Sequence, residues 1–213
     1  MDTTCEHGSL ALVEEDRVVE EVTLHAPDGF GEVLFGEIEA LLTRHGVPLG
    51  EIDAFASASG PGTFTGVRMG LTAVKGLAEA IGRQAIGVSN LQALAAFGTR
   101  PLRATVLDAR RGEVYGAVYD AALRPVCDEV VMKFPAWLET LGPWSLPKGD
   151  LEFITGEYAI PDGFGPVTNA PRVLAGAIGR IAMQRVRDGL GQNPAEIDAN
   201  YVRRPDAQPM RQE

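Results

Sequence analysis

The chain has 213 residues, of which 45% are hydrophobic and 23% charged, with a formal net charge of −10. This is enough apolar material for one large or two small domains, and no apolar run nears the roughly 18–20 residues that cross a bilayer. Residues 1–53 carry 13 Asp/Glu against two Arg, an acidic quarter that would repel a phosphate backbone and argues against a chain gripping nucleic acid alone.

Ser9–Val13 and Val18–Leu24 read as strands joined by the acidic turn Glu14–Arg17. Val33, Leu34, Ile38, Leu41 and Leu42 then recur at helical spacing before Gly46-Val-Pro48. Ile52–Ser59 reads as a strand alternating with small residues. Thr65–Ile81 follows as a second helix, Gln84–Val88 as a short strand and Leu91–Phe97 as a third helix. After a break at Gly98-Thr-Arg-Pro101 the period returns to two. Ala104–Asp108 and Glu113–Tyr119 form a hairpin, and a strand around Val126–Val131 completes a meander. Phe134–Leu141 reads as a short helix, Phe153–Gly156 as a strand between the loops Gly142–Gly149 and Pro161–Pro171, and Pro171–Leu190 as a long helix. The tail from Asn200 is expected to be loosely ordered. Strands in hairpins followed by helices, twice, with a break near residue 100, predict an α/β protein of two lobes, each a mixed sheet with flanking helices. The boundaries are 1–100 and 101–213, the last helix packing back on the first lobe. This is a duplicated ribonuclease-H-like unit.

The most informative stretch is Ala58-Ser-Gly-Pro-Gly-Thr-Phe-Thr-Gly-Val-Arg-Met-Gly70. Glycines permit a sharp turn and close approach, and Thr63 or Thr65 can cap the helix that follows. Such a turn points backbone N–H groups either at an anion or at a neighbouring chain segment. Gly60, Gly62, Thr63, Thr65 and Gly66 are the residues an anion or nucleotide would touch. The spacing is neither a Walker A loop nor a Rossmann fingerprint, because no Lys follows and no acid stands where ribose would need it. The turn therefore reads mainly as a corner that launches a helix.

Other constellations carry less. Asp2-Thr3-Thr4 has the form of an acidic phosphate-loop residue, but such a loop needs a strand leading into it and only Met1 precedes. Either the chain begins late or this first strand is short. Asp108-Ala-Arg-Arg-Gly-Glu113 sets two carboxylates near two arginines, an arrangement that more often stabilises a turn than performs acid–base work. Arg68 and Lys75 share one helix face, facing a partner carboxylate or solvent. Cys5 and Cys127 read as reduced buried thiols, and His7, His25 and His45 have no metal-ligand spacing, so no metal is expected. The acidic N-terminus has no signal-peptide pattern, which predicts a cytoplasmic location.

The segments Ser59–Gly70, Ile86-Gly-Val-Ser-Asn-Leu91 and Leu107-Asp-Ala-Arg-Arg-Gly-Glu-Val-Tyr115 resemble the TsaB (YeaZ) family, as do, more weakly, Asp2-Thr-Thr-Cys5 and Tyr201-Val-Arg-Arg204. The resemblance implies two actin-like lobes and a non-catalytic role in making threonylcarbamoyladenosine on tRNA. The family pairs with the catalytic subunit TsaD, is joined by the ATPase TsaE, and touches tRNA only through the complex; alone it would form a homodimer. No cofactor is implied, ATP or ADP entering only through TsaD or TsaE, and no catalytic residue. Carried over by position, pairing would use the first two helices, through Val33, Glu37, Leu41, Arg68, Met69, Thr72, Ala73, Val74 and Lys75. Two departures stand out. Relatives usually have a first strand before Asp-Thr, and a His-Ser or His-Thr pair where this chain has Asp28-Gly-Phe-Gly31. The alternative from a different class is an independent nucleotide-dependent transferase or ATPase of the actin-like superfamily.

Overall fold

A computed structural model describes residues 1–26, 29–142 and 150–202. Over these described residues it is a mixed α/β structure of three sheets and five α-helices. β1 (His7–Glu14) and β2 (Arg17–His25) form an antiparallel hairpin with a bulge at Leu12/Val13. Leu10 and Leu24 face one core with Leu34 and Leu41 of α1 (Leu34–Arg44), residues a helical repeat apart. At the end of α1, Arg44 Nη2 and His45 Nε2 lie 2.8 and 2.6 Å from the two oxygens of Glu20 on β2.

β3 (Ala54–Gly60) runs parallel to β4 (Gln84–Ser89), the crossover being α2 (Phe64–Ile81). The cap of α2 is Thr63, whose Oγ1 accepts from Gly66 N at 3.2 Å. It stops at Gly82, whose φ of 66° admits the left-handed residue that turns the chain out of a helix. Ser89 caps the short α3 (Asn90–Ala95).

β5 (Leu102–Arg110), β6 (Glu113–Asp120) and β7 (Pro125–Lys133) form the expected meander, and Arg111 and Gly112, both at positive φ, make its two-residue turn. α4 (Phe134–Thr140) covers this sheet through Trp137, against which Gly116 leaves no room for a Cβ. β8 (Leu151–Thr155) pairs parallel with β5, and β9 (Val167–Asn169) with β8, giving the order β7-β6-β5-β8-β9. The strand β9 falls inside the stretch 161–171 expected as loop. Three residues are too few to show a period of two, and pairing with β8 alone defines it.

α5 (Ala175–Arg187) is shorter at both ends than the expected Pro171–Leu190, and lies across β1 and β3. Ser9 Oγ accepts from Leu174 N and Ala175 N, and Glu21 accepts from Gly176 N at 2.8 Å, so two residues of the hairpin satisfy the first amides of this helix. A Cβ on Gly179 would sit 2.5 Å from Val13. The close seat of α5 on β1 requires that glycine.

β1 and β3 are not paired with each other. Met1 and Asp2 stand between them. Met1 N donates to Ala56 O at 2.7 Å, Ala58 N donates to Met1 O at 2.9 Å, and Asp2 exchanges two backbone bonds with Ser9 at 2.8 Å. The tail begins in order rather than loosely. Asn200 N donates to Ser59 O at 2.7 Å, and Tyr201 stacks on Phe64. Arg203, Arg204 and the residues after them, like residues 143–149 and Asp28, lie outside the described residues.

Candidate functional site

The glycine turn is built against its own chain. A Cβ on Gly62 would stand 2.4 Å from Thr4 Cβ, on Gly66 2.0 Å from Thr3 O, and on Gly70 2.5 Å from Ser57 Oγ. The turn therefore seats the segment Asp2–Cys5, and three of its amides already have acceptors. Gly60 N donates to Asn90 Oδ1, Thr63 N to Thr4 O at 2.7 Å, and Gly66 N to Thr63 Oγ1. Thr3 Oγ1 donates to Gly66 O at 2.7 Å. Thr65 is exposed at the start of α2 and points away from this packing.

Below the turn a cleft of about 610 Å³ is lined by Asp2, Thr4, Asn90, Asp108, Tyr115 and Arg172, among others. Its buried acid is occupied. Asp2 Oδ1 accepts from Thr4 N at 2.9 Å and Thr4 Oγ1 at 2.6 Å, and Asn90 Nδ2 donates to Thr4 Oγ1 at 2.9 Å. Arg172 pairs with Glu157 at 2.7 Å and Arg110 with Asp108 at 3.4 Å. The Asp108–Arg110 pair stabilises the hairpin turn, as expected of that motif. The carboxylate of Glu129 is likewise held, accepting from Ser89 Oγ, from Tyr119 OH at 2.6 Å and from Asn200 Nδ2 at 2.6 Å. Burial, with Glu129 beside it, pushes the Tyr119 phenol well above its usual range and keeps it a donor. Cys5 is exposed and Cys127 half-buried, so the thiols are not the buried pair expected. Among the described residues no group of three or more His, Cys, Asp or Glu is placed to hold a metal ion.

The helices expected to meet a partner divide into two sets. Leu41, Ala73 and Val74 are inside, at 4%, 5% and 0% exposure, in the cores beneath α1 and α2. Their side chains are not on the surface, because helical spacing marks a face as apolar without saying which part of it a sheet already covers. Arg68 and Lys75 are surface residues engaged by the chain's own end, Arg68 Nε donating to Tyr201 OH at 2.8 Å and Lys75 Nζ reaching Ala195 O at 3.5 Å. One flank of α2 is thus covered by residues 195–201. The rest of the exposed face carries Thr65, Met69, Thr72 and Gly76, of which all but the half-buried Met69 are exposed. Met69 leans toward Gly31, just ahead of α1. Val33 is 41% exposed at the N-cap of α1, and Glu37 half-buried. Sequence reasoning overlooked Phe35 and Phe64, which are 55% and 52% exposed. The signal was present, since Phe35 falls off the 34–38–41 stripe that faces the core.

A family model described as TsaD, tRNA N6-adenosine threonylcarbamoyltransferase, matches residues 25–165. The tRNA threonylcarbamoyladenosine biosynthesis protein TsaB of Escherichia coli (strain K12) is 37% identical over 123 residues, covering 56% of this chain and 53% of that protein. The chain belongs to the TsaB/YeaZ family. The TsaB of Bacillus subtilis (strain 168) is 31% identical over 146 residues, 66% of this chain and 64% of that one. The chain thus spans between half and two thirds of the length of these TsaB relatives. A crystal structure of an uncharacterized Pseudomonas aeruginosa protein with similarity to peptidase YEAZ superposes with a TM-score of 0.78 at 25% identity, covering 95% of this chain and 97% of that one. The mixed α/β fold is that of the YeaZ structures.

Proposed function

We propose that this chain is a non-catalytic subunit in tRNA threonylcarbamoyladenosine biosynthesis, pairing with a TsaD-type catalytic subunit through α1 and α2. Membership of the TsaB/YeaZ family carries the reading, and the exposed flank of α2 supports the choice of surface. Small residues there let another helix approach closely, and the exposed Val33 and Phe35 of α1 add apolar area. Arg68 and Lys75 play at most a rim part, being held by the chain's own end.

The non-catalytic part is supported by the cleft. Its carboxylates, Asp2, Asp108 and Glu157, are bonded to neighbouring groups of the chain, and three amides of the glycine turn are spent on Asn90, Thr4 and Thr63. On this reading the chain carries no cofactor, nucleotide enters through the partner subunit or a TsaE-type ATPase, and tRNA is met only in the assembly. The chain alone would use the same helix pair to form a homodimer, and the location would be cytoplasmic; among the described residues no helix is long and apolar enough to cross a membrane. Two ribonuclease-H-like lobes, divided near residue 100 with α5 returning to the first, complete the proposed architecture.

The test is co-purification with a TsaD-type protein followed by a tRNA modification assay, with and without this chain. A stable pair and a modification yield that depends on the chain support the reading. Modification undiminished by its omission, or turnover of Mg-ATP by the chain alone, overturns it.

A further inference from the structure

The open face of α1 and α2 carries one sign of charge. Glu32, Glu39 and Glu79 are exposed on it, and Glu37 is half-buried. Glu39 stands four residues from the exposed Phe35, and Glu79 seven from Thr72, so each shares a helix face with a residue of the proposed interface. The cations near these acids in the chain are held elsewhere. Arg17 pairs with Glu14, Arg44 with Glu20 and Arg83 with Asp53. Glu37 acts on Arg44 only as a minor charge behind Glu20. The two cations of α2 itself lie on the flank that residues 195–201 cover. Arg68 is bonded to Tyr201 and stacked on Phe64, and Lys75 is turned to Ala195 O.

We infer that this face takes a partner surface with an apolar centre and a rim of Lys and Arg, and that it is mismatched to a second copy of this chain. The inference rests on the pairing proposed above and adds the chemistry of the partner's side. Two copies that meet through one shared face are related by a two-fold axis, so each patch meets itself. A patch of acids without a free cation then sets carboxylates against carboxylates. Like charges across an interface cost affinity and slow encounter, and a basic partner gains on both counts.

The exposed Val33 and Phe35 and the small residues of α2 serve either occupant alike. Charge decides between them. Exposed charges act over about 10 Å at about 0.1 M salt, so the preference is strongest at low ionic strength. A homodimer on this face is therefore the weaker assembly and one that salt strengthens. The pair with a basic partner is the tighter one, and salt weakens it.

Glu32→Lys/Glu39→Lys tests this, since both side chains are exposed. Affinity for a TsaD-type protein is measured in about 0.05 M and about 0.5 M NaCl. The expected result is a loss of about tenfold at low salt, mostly in the association rate, shrinking to about threefold or less at high salt. Equal affinity of variant and unaltered chain at low salt overturns the inference. A second arm needs no other protein. The variant is mixed with the unaltered chain at low salt, and sedimentation is expected to show a mixed pair at least about tenfold tighter than the unaltered homodimer. A mixture that associates no more tightly than the unaltered chain alone overturns the inference. If the unaltered chain does not bind the TsaD-type protein at all, the proposed pairing falls, while the mixture still decides the charge preference of the face. Should the variant fold poorly, Glu32→Gln/Glu39→Gln takes its place. Effects of the same sign and about threefold are then expected in both arms, and their absence overturns the inference.

Discussion

Arg68 donates from Nε to the Tyr201 hydroxyl at 2.8 Å, with its guanidinium 3.9 Å above the Phe64 ring on which Tyr201 stacks. The end of the described chain therefore occupies the flank of α2 where a basic residue would otherwise be free. Tyr201→Ala removes the acceptor and the stack together. It should lower the unfolding free energy in urea by roughly 1 kcal/mol, since the site is partly exposed. On the proposed function, it leaves co-purification with a TsaD-type protein intact.

Thr72→Glu places a charge on the exposed flank of α2 that residues 195–201 leave open. The expected outcome is loss of co-purification with a melting temperature close to that of the unaltered chain. Retained pairing in the Thr72→Glu variant would remove this flank from the interface.

Val74 separates interface from core. It has no exposed surface and packs with Phe55, Val67 and Leu71. Val74→Ala is expected to cost about 2 kcal/mol of stability through lost burial and a small cavity. Any loss of pairing should track the loss of folded protein in circular dichroism rather than exceed it.

Two glycines of α2 should respond in opposite directions. A Cβ on Gly66 meets Thr3 O at 2.0 Å, whereas one on Gly76 meets nothing within 4 Å. Gly66→Ala must push the Asp2–Cys5 segment away and should lower the melting temperature. Gly76→Ala should raise stability by about 1 kcal/mol, the usual gain from replacing glycine inside a helix.

The Met1 ammonium, with a pKa lowered from 8.0 to about 6 by burial, gives a pH dependence with a definite sign. The unfolded chain binds this proton more tightly than the folded one. Stability is therefore highest above pH 8 and is lost as the pH falls from about 8 to about 6, a change of order 2–3 kcal/mol for this group. Urea denaturation at pH 6 and pH 8 measures it. In a chain extended before Met1 the nitrogen is an amide, and this part of the pH dependence should vanish.

Most strands and helices were legible in the sequence because their apolar periods are long enough to count, as in α2 and the β5–β6–β7 meander. β9 was not, since three residues show no period. The glycine turn was read as a corner from spacing alone, but the partner it packs against, Thr3 and Thr4, lies some sixty residues away and no local pattern names it. The helix faces were legible only as apolar. Which residues of α2 lie on the sheet and which lie free depends on β3, and on the returning segment 195–201, so Ala73 and Val74 could not be told from Met69 and Thr72 by spacing. Phe35 was marked by falling off the 34–38–41 stripe, whereas Phe64 stood out only once its exposure was known.

The position of α5 has a consequence for the order of assembly. Its residues 175–187 bridge β1 and β3, as Met1 and Asp2 do through their backbone bonds. On a ribosome the β1–β2 hairpin and the β3–α2–β4 unit emerge first, each with an edge and an apolar face uncovered. They can close on one another only after nearly a hundred further residues have been made, so the first half of the chain waits on the last helix to become a finished structure.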